Sequence, residues 1–397
     1  MSPEHQSLLE KVQTVLTNRF HEAISVTVTA EIPGNFLVLR CQLAPVPHGL
    51  SSTVIIKQTP MADKSTRNRV LNEIACLEFL SNLESPHKFA PILYAYDEHE
   101  GIVVLEDLGE RPSLMDLLRG DNWATAEAGL LAYGRFFAQL HAATQHKEAQ
   151  FHSIQHRLGT ASPFSDSNID LTNYQETIQQ LLEAISLTNQ IDFWHEFTQM
   201  VEAITATPYR TFIHCDSGPQ NLLVLDDGVL LLDYEFGSYG HAFLDVAGWR
   251  NGFQQSGQGL RVPPGMITAV ETTYRTELMQ AIPDLAQDSA FYDATVYANA
   301  HWLIGRLAHF WRGYLQNRLE QGPGYDEQWL SEPDKAKHFH RFQQQGMLTL
   351  IHTFIETSLE LNRLPAMRQV AQKTVALLQN IWPHAEQLPI FPLWSRS

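Results

Sequence analysis

Cysteine and positive charge are both scarce in this chain. Its 397 residues include three widely separated cysteines, Cys41, Cys76 and Cys215. This excludes a disulfide-built scaffold and favours a reducing compartment, the cytoplasm. Only 27 lysines and arginines stand against 44 aspartates and glutamates, so the formal net charge is −17. Because a polyanion would be repelled on average, the composition also excludes a nucleic-acid partner held by charge.

Long apolar runs and targeting signals are missing as well. No stretch approaches the roughly 18 consecutive apolar residues of a membrane-spanning helix, so no membrane partner is expected. Apolar residues recur at helical spacing from Leu8 to Leu16 after an acidic start, which predicts an amphipathic helix rather than a signal peptide. With 44% hydrophobic residues, the chain can still bury a substantial core and is not disordered.

The first hundred residues have a β-rich pattern. Apolar and β-branched residues predict five strands, at 25–30, 36–43, 53–59, 92–96 and 102–106. A helix is predicted over 65–83, where apolar residues recur every three or four positions. This part of the chain is therefore expected to form a small sheet with one helix inserted between its strands.

The pattern becomes helical after residue 107. Helices are predicted over 125–145, 172–189 and 192–204 and from Phe243 to the end, with an irregular polar connection over 147–170. A β-type segment at 211–234 interrupts them, and Asp226-Asp227-Gly228 within it is a hairpin turn signal. The predicted fold class is α+β, with a small β-rich lobe followed by a large helical lobe.

Polar residues collect around the β-type segment. Asp216 follows a short strand, Asn221 comes five residues later, and Asp233 and Glu235 end the hairpin. The three carboxylates lie beside one amide at one end of a small sheet, and they repel each other unless a cation binds them. Oxygen ligands of this kind suit Mg²⁺, which commonly shares its shell with substrate phosphates.

A positive group for phosphates is present upstream. Lys57 ends the apolar strand segment Val54-Ile55-Ile56, and a buried ammonium requires a partner or a ligand. Glu73, on the following predicted helix and flanked by apolar residues, is the expected ion-pair partner. A phosphoryl-transfer site needs such a cation together with metal ligands and a base.

These residues, in their order along the chain, resemble the protein-kinase signature set: Lys57, Glu73, the H-x-D-x-x-x-x-N segment His214–Asn221, and Asp233. The closer resemblance is to the aminoglycoside phosphotransferase and choline kinase family. Cys215 replaces the kinase arginine there, and Asp233-Tyr234-Glu235 replaces D-F-G. The resemblance implies a bilobal protein-kinase-like fold, with a nucleotide-binding lobe at 1–104, a hinge at 105–109 and a helical lobe at 110–397.

The resemblance also implies roles for individual residues. Asp216 would be the catalytic base, and Asn221, Asp233 and Glu235 would hold Mg²⁺. ATP would be bound by Lys57, Glu73, Gly34, Asn35, Glu106 and Leu108. Asp245, in the segment Phe243–Ala247, would be structural. His214 is expected to brace the catalytic turn, and Cys215 is not expected to act as a nucleophile because no activating base adjoins it.

The predicted function is transfer of the ATP γ-phosphoryl group to a hydroxyl of a small metabolite or an aminoglycoside-like compound. The net negative charge favours a cationic acceptor. A non-catalytic nucleotide-binding module is the alternative, and a protein kinase is disfavoured by the short distance from Asp233 to Asp245. Aromatic residues at 291–319 are expected to pack in the core, although an acceptor pocket could use some of them: Trp302, Phe310, Trp311 and Tyr314.

Overall fold

The computed structural model describes residues 3–33, 36–61, 63–163, 171–187, 190–205, 207–253, 259–331, 333, 336 and 339–394. Its first part contains α1 (Pro3–Phe20), β1 (Ser25–Ile32), β2 (Leu37–Ala44), β3 (Thr53–Gln58), α2 (Lys64–Ser81), β4 (Leu93–Asp97) and β5 (Ile102–Glu106). The five predicted strands and both predicted helices of this part are therefore present, with ends that differ by a few residues.

The strands of the first part form one antiparallel sheet in the order β1-β2-β3-β5-β4. Alternate residues of β3 point to opposite faces. Val54 and Ile56 are fully buried in a core shared with Leu8 and Val12 of α1. Lys57 consequently lies on the opposite face of the sheet, which places its ammonium group toward α2 and the second lobe.

The second part is mainly helical. Its helices are α3 (Leu114–Arg119), α4 (Trp123–Thr144), α5 (Glu148–Leu158), α6 (Gln175–Ala184), α7 (Ile191–Thr205), α8 (Phe243–Val246), α9 (Gly248–Asn251), α10 (Pro264–Leu278), α11 (Asp288–Phe310), α12 (Gln316–Gln321), α13 (Gly324–Leu330), α14 (Met347–Glu360) and α15 (Pro365–Ile381). Two small hairpin-like sheets lie among them, formed by β6 (Arg210–Ile213) with β9 (Ser238–His241) and by β7 (Leu222–Leu225) with β8 (Gly228–Leu231). In the described part of the chain, no helix is long and apolar enough to cross a membrane.

Two predicted features of the second part are wrong, and one strand was not predicted. The connection over 147–170 contains α5, whose inner face carries Phe151, Ile154 and Leu158 at helical spacing among many polar residues. β9 was not expected because its sequence, Ser-Tyr-Gly-His, is short and mostly polar; pairing with β6 stabilises it. The chain also does not stay helical to its end, since α15 stops at Ile381.

Helix α2 connects the two lobes. It follows β3 in sequence, yet its inner residues Ile74, Leu77 and Phe79 belong to the large core of the helical lobe. The sheet and α1 share a separate, smaller core. Glu73 therefore lies on a helix that is anchored in one lobe while facing a strand of the other.

Candidate active site

The loop that carries Asp216, the predicted catalytic base, follows β6 and ends in a 3₁₀ turn, Pro219–Asn221; it is called the catalytic loop below. Asp216 Oδ2 accepts a hydrogen bond of 3.1 Å from Asn221 Nδ2, which also donates to the Asp216 carbonyl oxygen at 3.0 Å. Asp216 Oδ1 is buried and has no hydrogen-bond partner among the described residues. Burial raises the pKa of the Asp216 carboxyl, while His214 and the Asn221 hydrogen bond oppose that shift.

His214 braces this loop, as predicted. Its Nδ1 accepts a hydrogen bond of 3.2 Å from the backbone N–H of Asp216, which leaves Nε2 as the N–H donor of the ring. Nε2 then donates to the carbonyl oxygen of Leu232 at 2.9 Å. The ring thus ties the catalytic loop to the residue immediately before Asp233.

Asp245 stabilises the same loop through hydrogen bonds to its backbone. Its two carboxylate oxygens accept hydrogen bonds from the backbone N–H groups of His214 and Cys215, at 2.6 and 2.8 Å. Ser217 Oγ donates to the Asp245 carbonyl oxygen at 2.6 Å. Asp245 is almost completely buried and has the structural role expected from the sequence.

Two residues of the site have a left-handed backbone. Cys215 has a φ of 65° and Asp233 a φ of 58°, a conformation that is uncommon for residues other than glycine. Such residues cluster at functional sites, where the surrounding structure enforces them. Burial also raises the pKa of the Cys215 thiol well above its ordinary value, which agrees with the expectation that Cys215 is not a nucleophile.

Lys57 forms ion pairs with two carboxylates, one on α2 and one at the end of the β7–β8 hairpin. Its Nζ lies 2.8 Å from Glu73 Oε1 and 2.9 Å from Asp233 Oδ1. Burial alone would lower the pKa of Lys57, but the two carboxylates outweigh it and raise the pKa above its ordinary value. For Asp233, burial would raise the pKa of the carboxyl, and the nearby ammonium outweighs it and lowers the pKa. Lys57 is therefore a cation that joins α2, β3 and the helical lobe.

The segment after Asp233 is docked on α2. Asn72 is fully buried, and its Nδ2 donates to the carbonyl oxygens of Glu235 and Gly237 at 3.1 and 2.9 Å. Gln155 Nε2 donates to Asn72 Oδ1 at 2.7 Å. Sequence reasoning missed Asn72, because a single asparagine within an apolar helix face gives no signal for a partner 163 residues away.

The other predicted nucleotide residues lie at the lobe boundary. β5 ends at Glu106, whose carboxylate accepts hydrogen bonds from Lys88 and from the backbone N–H of Ile92. Leu108 follows, half-buried. Between them, Asp107 is paired with Arg40 of β2 at 3.0 Å, an anchor that sequence reasoning also missed. The predicted loop residues Gly34 and Asn35 lie outside the described residues.

The predicted metal ligands are not arranged as a preformed metal site in the described part of the chain. Among the described residues, no group of three or more His, Cys, Asp or Glu side chains is arranged to hold a metal ion. Glu235 lies 3.5 Å from Arg69, measured between Oε1 and the guanidinium nitrogen.

A cavity of about 450 Å³ opens beside the catalytic loop. It is called the Asp216 cavity below, and its lining residues are Leu171, Tyr174, Cys215, Asp216, Phe236, His301, Trp302, Gly305, Arg306 and His309. Half of these residues come from α11, at positions 301, 302, 305, 306 and 309, which share one helix face. The sequence signal that could have revealed them is this spacing of polar residues on a largely apolar helix.

The aromatic residues of 291–319 divide between the two roles considered for them. Trp302 lines the Asp216 cavity, and its Nε1 donates to the Leu244 carbonyl oxygen at 2.9 Å. Phe310, Trp311 and Tyr314 are instead buried in the core of the helical lobe. Packing is therefore the role of three of these residues.

Comparison with known families identifies the class of protein. Residues 43–262 match the sequence model of the APH family, the phosphotransferase enzyme family. Because this match covers more than half of the chain, the chain belongs to that family. The observed two-lobe architecture and the family match together confirm the predicted protein-kinase-like fold, and the chain is a small-molecule phosphotransferase.

Solved structures resemble the chain only at low identity. A choline kinase from Cryptosporidium parvum Iowa II is 14% identical, with a TM-score of 0.39 over 78% of this chain and 94% of its own. The gentamicin complex of APH(2″)-IIa is 12% identical, with a TM-score of 0.46 over 92% and 99% of the two chains. Amicoumacin kinase hAmiN, in complex with AMP-PNP, Ca²⁺ and Ami, is 11% identical, with a TM-score of 0.47 over 86% and 92%. No curated protein sequence matches this chain.

Proposed function

We propose that this chain is a kinase that transfers the γ-phosphoryl group of ATP, with Mg²⁺, to a hydroxyl group of a small-molecule acceptor. One observation supports it above all. Lys57 lies between Glu73 and Asp233, while Asp216 lines a neighbouring cavity with one carboxylate oxygen that is unpartnered in the described structure. A cation for phosphates and a carboxylate for the attacking hydroxyl are two components that phosphoryl transfer needs in adjoining places.

Asp216 is the residue suited to receive a proton. Its Oδ1 would accept the hydrogen of the acceptor hydroxyl, while Oδ2 stays bonded to Asn221. As the acceptor oxygen attacks, its new bond to the γ-phosphorus forms, the bond from that phosphorus to the bridging oxygen breaks, and ADP leaves. The raised pKa of the Asp216 carboxyl makes it a better proton acceptor than an exposed aspartate.

Lys57 and the hinge would hold the nucleotide. The ammonium of Lys57 would contact the phosphates, and Glu73 keeps it in place at 2.8 Å. The backbone from Glu106 to Leu108 would meet the base, because β5 ends there, at the boundary of the two lobes. Gly34 and Asn35 stay in the proposal as the loop that would cover the phosphates.

The oxygen donors near the cleft fit Mg²⁺. Asn221 offers an amide oxygen, and Asp233 offers a carboxylate that is 55% exposed at the end of the hairpin; donors of this chemistry suit Mg²⁺. Glu235 is the weaker donor because Arg69 lies close to it. When bound, Mg²⁺ would neutralise charge that develops on the phosphates.

An ADP-release assay over amino alcohols, sugars and aminoglycosides tests the proposal, with Asp233→Ala as the blank. Asp216→Asn is expected to lower kcat by about 10²- to 10⁴-fold, the usual contribution of a general base. Binding of AMP-PNP with Mg²⁺, measured by calorimetry, should be retained.

Asp227→Asn is the matched control, since Asp227 is an exposed residue of the β7–β8 turn. It should leave kcat unchanged. Full activity of Asp216→Asn would overturn the assignment of the base. Nucleotide binding without ADP release for any acceptor would favour the non-catalytic module.

A further inference from the structure

The Asp216 cavity has an uneven charge. Asp216 is the one carboxylate among its described lining residues, and it is reserved for the reacting hydroxyl in the proposed reaction. The part of the lining on α11 carries Arg306 with His301 and His309. An acceptor that fills this cavity would therefore meet a guanidinium and two imidazoles as well as the carboxylate.

Arg306 is available to a ligand. Its side chain lines the cavity and is solvent-accessible, and no ion pair or hydrogen bond joins it to another residue in the described part of the chain. The guanidinium is charged at neutral pH. A guanidinium in a cavity without a counter-ion gains from charge-assisted hydrogen bonds to an anion.

The neighbourhood of Arg306 is itself electropositive. Tyr174 Oη lies 3.0 Å from His309 Nε2, and the guanidinium of Arg312 lies 5.2 Å from the centre of the Tyr174 ring. Burial lowers the pKa of His309, and the positive charges of Arg306 and Arg312 lower it further. The positive charges of Arg306 and Arg312 would also disfavour an ammonium group at this place.

We propose that the acceptor is a small hydroxyl compound that carries an anionic group, a carboxylate or a phosphate, bound by Arg306 in the Asp216 cavity. This proposal rests on the proposed kinase function and specifies its substrate class. Leu171, Phe236 and Trp302 give the cavity an apolar wall for the carbon skeleton. The net charge of the chain favoured a cationic acceptor, whereas the lining of this cavity favours the opposite charge.

Two sets of matched acceptors separate these alternatives. One set is glycerate, glycerol and serinol, and the other is glucuronate, glucose and glucosamine; in each, the members are anionic, neutral and cationic. Each compound is tested by ADP release and, independently of turnover, by calorimetric binding to protein saturated with Mg²⁺ and AMP-PNP. We expect the anionic member of at least one set to bind most tightly and to have the highest kcat/KM.

Arg306→Gln tests the residue itself. It should lower kcat/KM for the anionic acceptor by about 10- to 100-fold, mainly through KM, because a charge-assisted hydrogen bond is lost. The neutral acceptor should be affected little. Arg135→Gln, an identical change at an exposed position of α4, should alter neither parameter.

Gly305→Leu tests the position of the site. A Cβ at Gly305 meets only Leu171 Cδ2, at 3.5 Å, so the variant is expected to fold while its side chain fills the cavity. It should abolish binding of every acceptor regardless of charge and leave AMP-PNP binding intact. Retained acceptor binding in this variant would place the acceptor elsewhere.

The outcomes distinguish the two proposals. Anion binding that depends on Arg306, without ADP release for any acceptor, would support the anionic site and contradict the kinase function. Preference for a neutral or cationic member in both sets would overturn the anionic site while leaving the kinase function standing. Anion binding unchanged by Arg306→Gln, or no binding or turnover of either anion, would also overturn it.

Discussion

Asp245 is the single residue on which the geometry of the catalytic loop depends most. Both of its carboxylate oxygens are occupied by backbone N–H groups of the residues immediately before Asp216. Asp245→Asn would turn an amide N–H toward one of these donors. We expect it to lower kcat by about 10²-fold, as a small misplacement of a catalytic group does, and the free energy of unfolding by about 1–3 kcal/mol.

Steady-state kinetics and urea unfolding of the Asp245→Asn variant check this prediction. Asp284→Asn, at an exposed position, is the control and should change neither quantity. Full kcat in Asp245→Asn would show that the other contacts of the loop, such as those of His214 and Ser217, hold it in place without the Asp245 carboxylate.

His241 makes stability depend on pH. Its Nδ1 accepts a hydrogen bond from the Phe243 N–H, and burial, followed by the charges of His301 and His141, lowers the pKa of His241 to about 3. The unfolded chain binds a proton near the ordinary pKa of about 6.5. Stability is therefore fully present above that pH and is lost as the pH falls toward 3, with a loss of about 2 kcal/mol at pH 5.

Urea unfolding between pH 5 and pH 7 measures this loss. His241→Asn keeps an acceptor for the Phe243 N–H and removes the titration, so its free energy of unfolding should vary less steeply with pH than that of the wild type. His99→Asn is the control, because the His99 side chain is 77% exposed. Equal slopes for the wild type and His241→Asn would contradict the prediction.

At the scale of elements, the contact between α2 and the segment after Asp233 sets the positions of Glu73 and Asp233, the two ion-pair partners of Lys57. This contact is close at Gly237, where an added Cβ would lie 2.5 Å from Cys76 Sγ of α2 and 2.7 Å from Phe212 Cζ of β6. Glycine is required here by this approach, not by its backbone angles.

Gly237→Ala is accordingly expected to push α2 away from the helical lobe. Overpacking of this kind costs about 1–3 kcal/mol of stability. The Lys57–Asp233 pair would weaken because Glu73, which also holds Lys57, lies on the displaced α2. Thermal unfolding and the Kd of AMP-PNP measure the two effects. Gly265→Ala, where the added Cβ meets no atom within 4 Å, should lower neither the stability nor the affinity for AMP-PNP.

At the scale of the whole molecule, the two lobes have separate hydrophobic cores and meet at a cleft crossed by the Lys57–Asp233 pair. A nucleotide bound there with Mg²⁺ would contact both lobes and add to that link. At a hundred times its Kd, AMP-PNP with Mg²⁺ should stabilise the protein by about 2.7 kcal/mol.

Differential scanning calorimetry with and without EDTA tests this dependence on metal. Removal of Mg²⁺ should reduce the rise in Tm caused by AMP-PNP, and Asp233→Asn should reduce it in the presence of Mg²⁺. Asp226→Asn, at the exposed turn of the same hairpin, should behave as the wild type. An EDTA-insensitive rise in Tm would show that nucleotide binding needs no metal.

Much of the fold could be predicted because its signals are local. The strands around Lys57 and the helix that carries Glu73 appear as alternation and as three-to-four spacing within a few residues. The segment from His214 to Asp233 was recognisable because its polar residues lie on one loop and one hairpin. Their spacing along the sequence is therefore a local signal. α5 was missed because its apolar residues are few and its buried Gln155 is polar, stabilised only by the distant Asn72.

The sequence by itself determined most of the elements, the family and the candidate residues for phosphoryl transfer, since each depends on neighbours along the chain. The tertiary structure alone decided which distant groups meet: Asn72 with Glu235, Asp107 with Arg40, and one face of α11 with Asp216. The charge that a ligand meets also depends on the tertiary structure. The net charge is a sum over the whole chain, whereas a ligand in the Asp216 cavity meets only the side chains that packing places there.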